Sequence, residues 1–288
     1  MNKKDFQFSH RLRVRWAEVD MQKIVFNAHY LMYFDTAIAE YWRAMALPYE
    51  ESMHAMEGDL YVKKASIEFH ASARMDDHLD IALRCAKVGN SSIVFEGGIY
   101  RGNDLLITGE LIYVFADPAT QTSRPVPDAL RALFAGFEAG ESMTEVKIGP
   151  WAILGADASS VRTAVFIDEQ RVPKDMEWDE ADATATHAVP YNRLGKPLAT
   201  GRLLLAEGGA SKVGRMAVHR AMRGSGLGSR VVAALEAAAV ARGDRQLVLH
   251  AQTSAEGFYR ALGYVPRGDY FDEVGIAHIE MFTDLPRK

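Results

Sequence analysis

One cysteine in 288 residues, Cys85, excludes any intrachain disulfide, so the fold must be held by its core alone. Basic residues do not dominate either: 33 Lys and Arg against 38 Asp and Glu leave a net charge of -5, which disfavours a nucleic-acid or membrane-surface partner. No apolar run is long enough to span a bilayer. The opening Met1-Asn2-Lys3-Lys4-Asp5-Phe6 lacks the apolar core of a signal peptide, and the expectation is a cytoplasmic protein. No short-period repeat or low-complexity tract is present. What the chain has is ordinary core-forming material, 48% hydrophobic and 25% charged, at a length that favours two domains. Cys85 itself sits in the apolar run Ile81–Val88, where a small buried residue is the simpler reading than a nucleophile.

A boundary near residues 135–145 separates two different patterns, giving domains over 1–140 and 145–288. The first is rich in strands. Phe8–Trp16, Tyr61–His70, Asp80–Gly89, Ser92–Arg101 and Leu105–Ala116 alternate apolar and polar residues or read as apolar runs. Among them lies one long apolar helix, with Asn27 as its N-cap and its end near Ala46. It presents Tyr30, Phe34, Ala37, Ile38, Tyr41, Trp42 and Met45 on one broad face. A strongly curved antiparallel sheet packed around that helix satisfies every apolar face. Asp128–Phe137 adds a short amphipathic helix, and a new strand pattern begins with Val146–Leu154. A helix over Ala158–Gln170 follows.

In the second half, Met216 to Ser229 reads as an apolar strand, a glycine-rich turn and a helix start. Such a turn makes an anion cradle, because glycines admit close approach, several N–H groups converge and the helix dipole adds to them. Val213, Met216 and Val218 belong to the strand, while Leu227, Val231, Leu235 and Ala239 line one face of the helix. Arg223 puts a fixed positive charge at the turn. A tight connection with no ligand is the competing reading.

At this point the second half resembles the GNAT superfamily of acyl-CoA N-acyltransferases. Arg223-Gly224-Ser225-Gly226-Leu227-Gly228 matches its Arg/Gln-x-x-Gly-x-Gly/Ala motif, and Gly257-Phe258-Tyr259-Arg260-Ala261-Leu262-Gly263-Tyr264 is similar to its second signature. The stretches Val165 to Pro173 and Phe271 to Met281 narrow the resemblance to a small bacterial branch of uncharacterised members. The resemblance implies acetyl-CoA as donor and an amine as acceptor. Met216, Ala217 and Val218 would offer backbone groups to the pantetheine arm, and Arg223, Gly224, Ser225, Gly226, Leu227, Gly228 and Ser229 would hold the pyrophosphate. Tyr259 stands where relatives often keep a tyrosine that protonates the leaving thiolate; a packed aromatic is the alternative. Glu169 stands near the acceptor entrance, either to select or deprotonate the amine or as a solvated helix-end carboxylate. His250 and His278 either line the acceptor channel or are core histidines.

The first half resembles hotdog-fold acyl-CoA thioesterases of the 4-hydroxybenzoyl-CoA thioesterase type, through Val14-Arg15-Trp16-Ala17-Glu18-Val19-Asp20-Met21-Gln22-Lys23-Ile24-Val25-Phe26-Asn27-Ala28-His29-Tyr30 and Tyr33-Phe34-Asp35. Asp20 then attacks the thioester directly or deprotonates a water, and a backbone N–H near Asn27 polarises the carbonyl. His29, early in the helix, either orients a carboxylate or water or is structural. Lys63 and Lys64 either meet CoA phosphates or are surface lysines. Lys23 departs from the pattern, since many members carry glycine there; if that glycine has positive φ, Lys23 strains or reshapes the loop. His54, His70 and His78 have no metal spacing, so no metal is expected.

The expected fold class is α+β, a hotdog domain fused to a mixed α/β GNAT domain. The expected function is bifunctional acyl-CoA chemistry, hydrolysis in the first domain and acetyl transfer in the second. One domain acting as a non-catalytic acyl-CoA-binding regulator is the alternative. Hotdog domains generally pair, so a homodimer or homotetramer is expected.

Overall fold

Phe34 explains the architecture of the N-terminal half. It lies on the buried face of a helix, α1, Asn27–Ala44, whose residues Tyr30, Tyr33, Phe34, Ala37, Ile38, Tyr41 and Trp42 are all buried. Its ring sits over two glycines, Gly97 and Gly109, which are paired directly across neighbouring strands. A Cβ built on Gly97 would come within 2.7 Å of the Phe34 ring, and one on Gly109 within 2.6 Å. Glycine is therefore required at both positions by close approach, and the sheet is hollowed where the helix enters it. Burying one such phenylalanine contributes about 1.5–3 kcal/mol.

The computed structural model describes residues 1–205, 208–273 and 275–286. The chain divides into two compact units, Met1–Met143 and Thr144–Lys288. In the first, after β1 (Phe8–Arg13) and α1, come α2 (Tyr49–Ala55), β2 (Asp59–Phe69), β3 (His78–Val88), β4 (Ser92–Arg101), β5 (Asp104–Ala116) and α3 (Asp128–Glu138). The five strands form one antiparallel sheet in the order β1-β3-β4-β5-β2. This is the hotdog arrangement.

Tyr41 from α1 meets Phe95 from β4 and Phe134 and Phe137 from α3, so α3 closes one end of the core. Glu138 at the end of α3 accepts the Tyr41 hydroxyl and the Cys85 backbone N–H, fixing that closure with polar contacts. Burial, helped by the Glu138 charge, pushes the Cys85 thiol up to about 12, which keeps it an inert thiol.

Two boundaries near the start of α1 differ from the sequence reading. The strand beginning at Phe8 stops at Arg13 rather than Trp16, because Glu18 captures the Arg15 N–H and folds residues 16–18 into a turn. Trp16 is left 81% exposed. Helix α1 is capped by Phe26, with Asn27 as its first helical residue rather than its N-cap.

In the second unit the strand over 146–154 is correspondingly shorter: β6 is Thr144–Pro150, and the helix α4 occupies Trp151–Arg162 instead of starting at Ala158. Pro150 ends the strand and serves as the cap of α4. A π-helical turn, Thr163–Glu169, continues it. Buried Leu154, Ala158, Val161 and Val165 show the helical spacing running from α4 into that turn.

The C-terminal unit continues with α5 (Lys174–Glu177), β7 (Thr186–Asn192), β8 (Ala199–Leu203), β9 (Ala210–Val218), α6 (Leu227–Arg242), β10 (Gln246–Gln252), α7 (Glu256–Ala261), β11 (Val265–Glu273) and β12 (Ile276–Asp284). Its seven strands run β11-β12-β10-β9-β8-β7-β6, antiparallel throughout except for the parallel β9–β10 pair. This is a mixed sheet of the GNAT kind. Val274, within the 271–281 sequence stretch, lies outside the described residues. Successive residues of β9 face opposite ways: Met216 packs toward α6 at Gly201, while Ala217 packs on Val161, Val165 and Phe166.

A buried charge network binds α4 to the segment after it. The Arg162 side chain, 1% exposed, donates to Glu177 at 2.5 Å and to both Asp182 oxygens at 2.9 Å. Arg202 on β8 donates to Asp182 at 2.7 Å and to Asp179 at 2.6 Å. The Trp151 and Trp178 rings also contact the Arg162 guanidinium. Removing one member of such a cluster strands the others in low dielectric. Arg162→Met is expected to destabilise the C-terminal unit by about 3–5 kcal/mol, measured by urea denaturation of the full chain. A loss below about 1 kcal/mol would mean that the two carboxylates find water instead.

Candidate functional site

In the N-terminal unit, a short hairpin presents Asp20 beside the start of α1. Val19 and Val25 pair across it, Asp20 N–H donates to Ile24 O at 2.9 Å, and Lys23 N–H donates to Asp20 O at 3.0 Å. The half-buried Asp20 carboxylate accepts the Gln22 N–H at 2.8 Å through Oδ1. Lys23 stands at φ 61, so it adopts the left-handed conformation itself. The turn keeps the shape that a glycine would give it, at a steric cost of about 1–2 kcal/mol. The hairpin is then tied down by Val25 N–H to Ala73 O and Phe26 N–H to Glu18 O, both at 2.9 Å.

Glu18 is the residue that the sequence reading missed. It is 3% exposed and accepts from Arg15 N–H at 2.8 Å, Arg15 Nε at 2.6 Å and Tyr33 Oη at 2.7 Å. Burial works to raise its pKa, but the three hydrogen bonds and the Arg15 charge outweigh burial and hold the carboxyl below its usual range. Its backbone and side chain together anchor the strand end, the Asp20 hairpin and α1. The available signal was Arg15 and Glu18 three apart ahead of a helix.

Asn27 is exposed in the first turn of α1, and Phe26 offers no side-chain cap to that turn. His29 N–H returns to Phe26 O, and its half-buried ring lies edge-on to Phe26 at 6.0 Å rather than on Asp20. Lys63 and Lys64 are exposed on β2, and Lys64 pairs with Glu110 at 2.9 Å.

In the C-terminal unit the parallel β9–β10 ladder runs from Ala210↔Gln246 to Val213↔Leu249. A bulge begins next: Arg215 and Met216 together oppose Gly201 of β8, with Arg215 at φ 52. Met216, Ala217 and Val218 therefore lie past the ladder, with Ala217 and Val218 still paired to β8 on their other side. A bulge that re-aims backbone groups at the mouth of a splayed sheet is a built feature.

The turn that follows ends in Gly224 at φ 81, Ser225 and Gly226 at φ 82, the N-cap of α6. Positive φ accounts for both glycines. Leu227 is buried and anchors the helix, while Ser225 Oγ donates to Met222 O at 2.6 Å. Gly228 differs in having no positive φ: a Cβ there would lie 3.2 Å from the Phe258 ring, a tight contact that the ring would have to yield to. The N–H groups of Leu227, Gly228 and Ser229 belong to the first turn of α6, whose donors have no partner within a helix.

Tyr259, 6% exposed, is wedged between Phe258 and Tyr264 at ring separations of 4.9 and 5.8 Å. Burial pushes its hydroxyl up to about 12, so it stays protonated at neutral pH.

Glu169 is at the surface. Its carboxylate takes two hydrogen bonds from Arg223, both 2.7 Å. Gln170 beside it accepts from Gln252 at 3.3 Å. His250 lies past the β9–β10 ladder with Nδ1 3.2 Å from both Lys212 Nζ and Glu273 Oε2, whereas His278 is 9% exposed and stacks on Phe271. Among the described residues no group of three or more His, Cys, Asp or Glu side chains is placed to hold a metal ion.

Two outcomes are expected from the hairpin. Glu18→Gln lowers the melting temperature at pH 7. Because the folded pKa lies below the unfolded one, that difference is full above about pH 4.5 and closes as pH falls through the folded value. A pH-independent difference would separate Glu18's charge from its role. Lys23→Gly is expected to stabilise the chain by up to about 1 kcal/mol, since relief of the left-handed backbone is partly offset by a more flexible unfolded state.

Comparison with known proteins agrees with this division. Residues 154–285 match an acetyltransferase (GNAT) domain family, and residues 22–108 match the thioesterase superfamily. The uncharacterised N-acetyltransferase YjcF of Bacillus subtilis (strain 168) is 38% identical over 129 residues, which cover 44% of this chain and 91% of that protein. The acyl-CoA thioester hydrolase YbgC of Escherichia coli O157:H7 is 28% identical over 128 residues, 44% of this chain and 95% of that protein. A crystal structure of a 1,4-dihydroxy-2-naphthoyl-CoA thioesterase from Synechocystis aligns with a TM-score of 0.42 at 18% identity, covering 44% of this chain and 95% of that one. Both families use coenzyme A or its acyl thioesters. The chain belongs to the GNAT acetyltransferase family through its C-terminal half and carries a hotdog domain of the thioesterase superfamily in its N-terminal half.

Proposed function

We propose that the protein is a bifunctional acyl-CoA enzyme: the N-terminal unit hydrolyses acyl-CoA thioesters and the C-terminal unit transfers acetyl from acetyl-CoA to an amine. The observation that carries this reading is that each unit sets chemistry-bearing residues against the first turn of a helix that lacks a side-chain cap, α1 after Phe26 and α6 after Gly226. Uncapped helix N–H groups suit an oxyanion in one case and a pyrophosphate in the other.

For hydrolysis, Asp20 lies in the hairpin immediately before the Asn27 turn. Its carboxylate either adds to the thioester carbon, expelling CoA thiolate and leaving an anhydride that water cleaves, or removes a proton from a water that attacks instead. In both routes the N–H groups at Asn27 take up the charge that forms on the carbonyl oxygen. His29 lies in the same turn.

For transfer, the pantetheine arm lies along Met216, Ala217 and Val218 where β9 leaves β10. The pyrophosphate lies on Gly224, Ser225, Gly226, Leu227, Gly228 and Ser229 with Arg223. The amine attacks the acetyl carbon, and the C–S bond breaks to release the thiolate. A phenol raised to about 12 is a weaker acid than an ordinary thiol, so Tyr259 supports the leaving sulfur as a hydrogen-bond donor, and the proton that the attacking nitrogen sheds balances the one that the thiolate takes up.

The N-terminal unit is further read as the dimerising one. Strand β2 is an edge of the sheet, and Tyr61, Val62 and Phe69 on it are exposed, as are Met21 and Phe26 near Asp20. Pairing through that surface protects an exposed strand edge and places Asp20 near a second copy.

The test is thiol release by the full chain from a panel of acyl-CoAs, with and without primary amines. Asp20→Asn is expected to remove amine-independent release while leaving the melting temperature and the amine-dependent rate intact. Tyr259→Phe is expected to lower the amine-dependent rate by about 10²-fold or more and leave hydrolysis alone. Full hydrolysis by Asp20→Asn would remove that residue from the mechanism. A monomer in light scattering at micromolar concentration would overturn the dimer.

A further inference from the structure

The turn and helix start from His219 to Arg230 carry Arg220, Arg223 and Arg230 and no acidic residue. A carboxylate nevertheless reaches it from another element. Glu169, the last residue of the π-helical turn, meets Arg223 with Nη1 on Oε1 and Nη2 on Oε2, each at 2.7 Å. Arg223 Nε donates to Val218 O at 3.3 Å, which fixes the fork at the junction of β9 and the glycine turn. The hydrogen bonds from Arg223, with the charges of Arg223, Arg220 and His219, hold the Glu169 carboxyl below its usual range, so it is ionised wherever acetyl transfer would run. Two parallel N–H···O bonds to a pair of oxygens are also how a guanidinium binds a phosphate. Glu169 thus presents to Arg223 the same pair of acceptors as a donor phosphate.

We infer that Glu169 is an internal competitor in the donor site, an anion that holds the Arg223 fork and must be displaced by the phosphates of the incoming thioester, so that it tunes donor affinity. This rests on the assignment of the glycine turn as the pyrophosphate site. A pyrophosphate has two anionic groups and can engage the guanidinium and the α6 N-terminus together, so it outcompetes a single carboxylate. A thioester on a pantetheine arm without phosphate has nothing to exchange for the Glu169–Arg223 pair and leaves it closed. Glu169 therefore weakens every phosphate-bearing donor somewhat and leaves a phosphate-free arm untouched. Both side chains are partly solvated, 34% and 44% exposed, so the exchange is small enough to be reversible.

The experiment is calorimetric titration of the full chain with coenzyme A and, separately, with pantetheine, at low ionic strength. The component of coenzyme A binding that Arg223→Gln weakens identifies the C-terminal site, apart from any binding in the other unit. At that site Glu169→Gln is expected to tighten coenzyme A about two- to fivefold, the range of an exposed ion pair, and to leave pantetheine unchanged. The double variant is expected to bind coenzyme A no more tightly than Arg223→Gln alone. Unchanged or weaker coenzyme A binding in Glu169→Gln overturns the inference, as does equal tightening of pantetheine. A wild-type isotherm with no Arg223-dependent component overturns the phosphate site itself, a different failure from a silent Glu169. Melting curves of each variant without ligand establish that the fold is intact.

Discussion

A helix leaves its first N–H groups without intrahelical partners, and something must satisfy them. In most helices a serine, threonine, asparagine or aspartate does so from the cap position. Here α1 is capped by Phe26 and α6 by Gly226, neither of which can accept with a side chain. The other α-helices lack a side-chain cap as well, so these two starts are set apart by what lies beside them. A hairpin delivers a carboxylate next to α1, and in the other unit a glycine turn delivers an arginine next to α6. The two units have unrelated sheets and share this one electrostatic device.

Buried charge organises each unit as well. Glu18 draws Arg15, Tyr33 and the Phe26 N–H into one cluster, so the Asp20 hairpin is fixed against α1 by polar contacts as well as by Val25. Arg162 and Arg202 do corresponding work in the C-terminal unit, fastening α4 and β8 to Glu177, Asp179 and Asp182. Opposite charges lie close in both clusters, with the hydrogen-bonding edges of the guanidinium groups used by several acceptors. Such clusters contribute little net stability relative to a well-packed apolar substitute, but they penalise any arrangement that separates their members.

Much of the N-terminal fold was readable because its apolar positions obey simple periods. The predicted α1 face, from Tyr30 to Met45, is the buried face. The strands over 92–101 and 105–116 fall within a residue or so of β4 and β5. The glycine turn was legible for the same kind of reason, since glycines at 224 and 226 announce backbone that other residues avoid. What escaped was long-range pairing between charges. Nothing local marks Glu169 as the partner of Arg223, 54 residues away, and although Arg15 and Glu18 stand three apart, that spacing does not show Glu18 to be buried. Helix α4 was placed late because Trp151, Ala152 and Ile153 continue an apolar strand in one dimension, and only Pro150 marks the change. The Asp20 region was legible as a motif, yet whether Lys23 could hold a glycine's conformation depended on the hairpin around it.

The Gly97–Gly109 pair under Phe34 has an evolutionary corollary. Two missing methyl groups set how deeply the helix sits in the sheet, and even alanine on either strand would collide with the ring. Drift at those positions would lift α1 and carry its first turn away from the Asp20 hairpin. Variation in this unit is therefore easier at exposed side chains such as Met32 and Phe69 than at the two glycines beneath the helix.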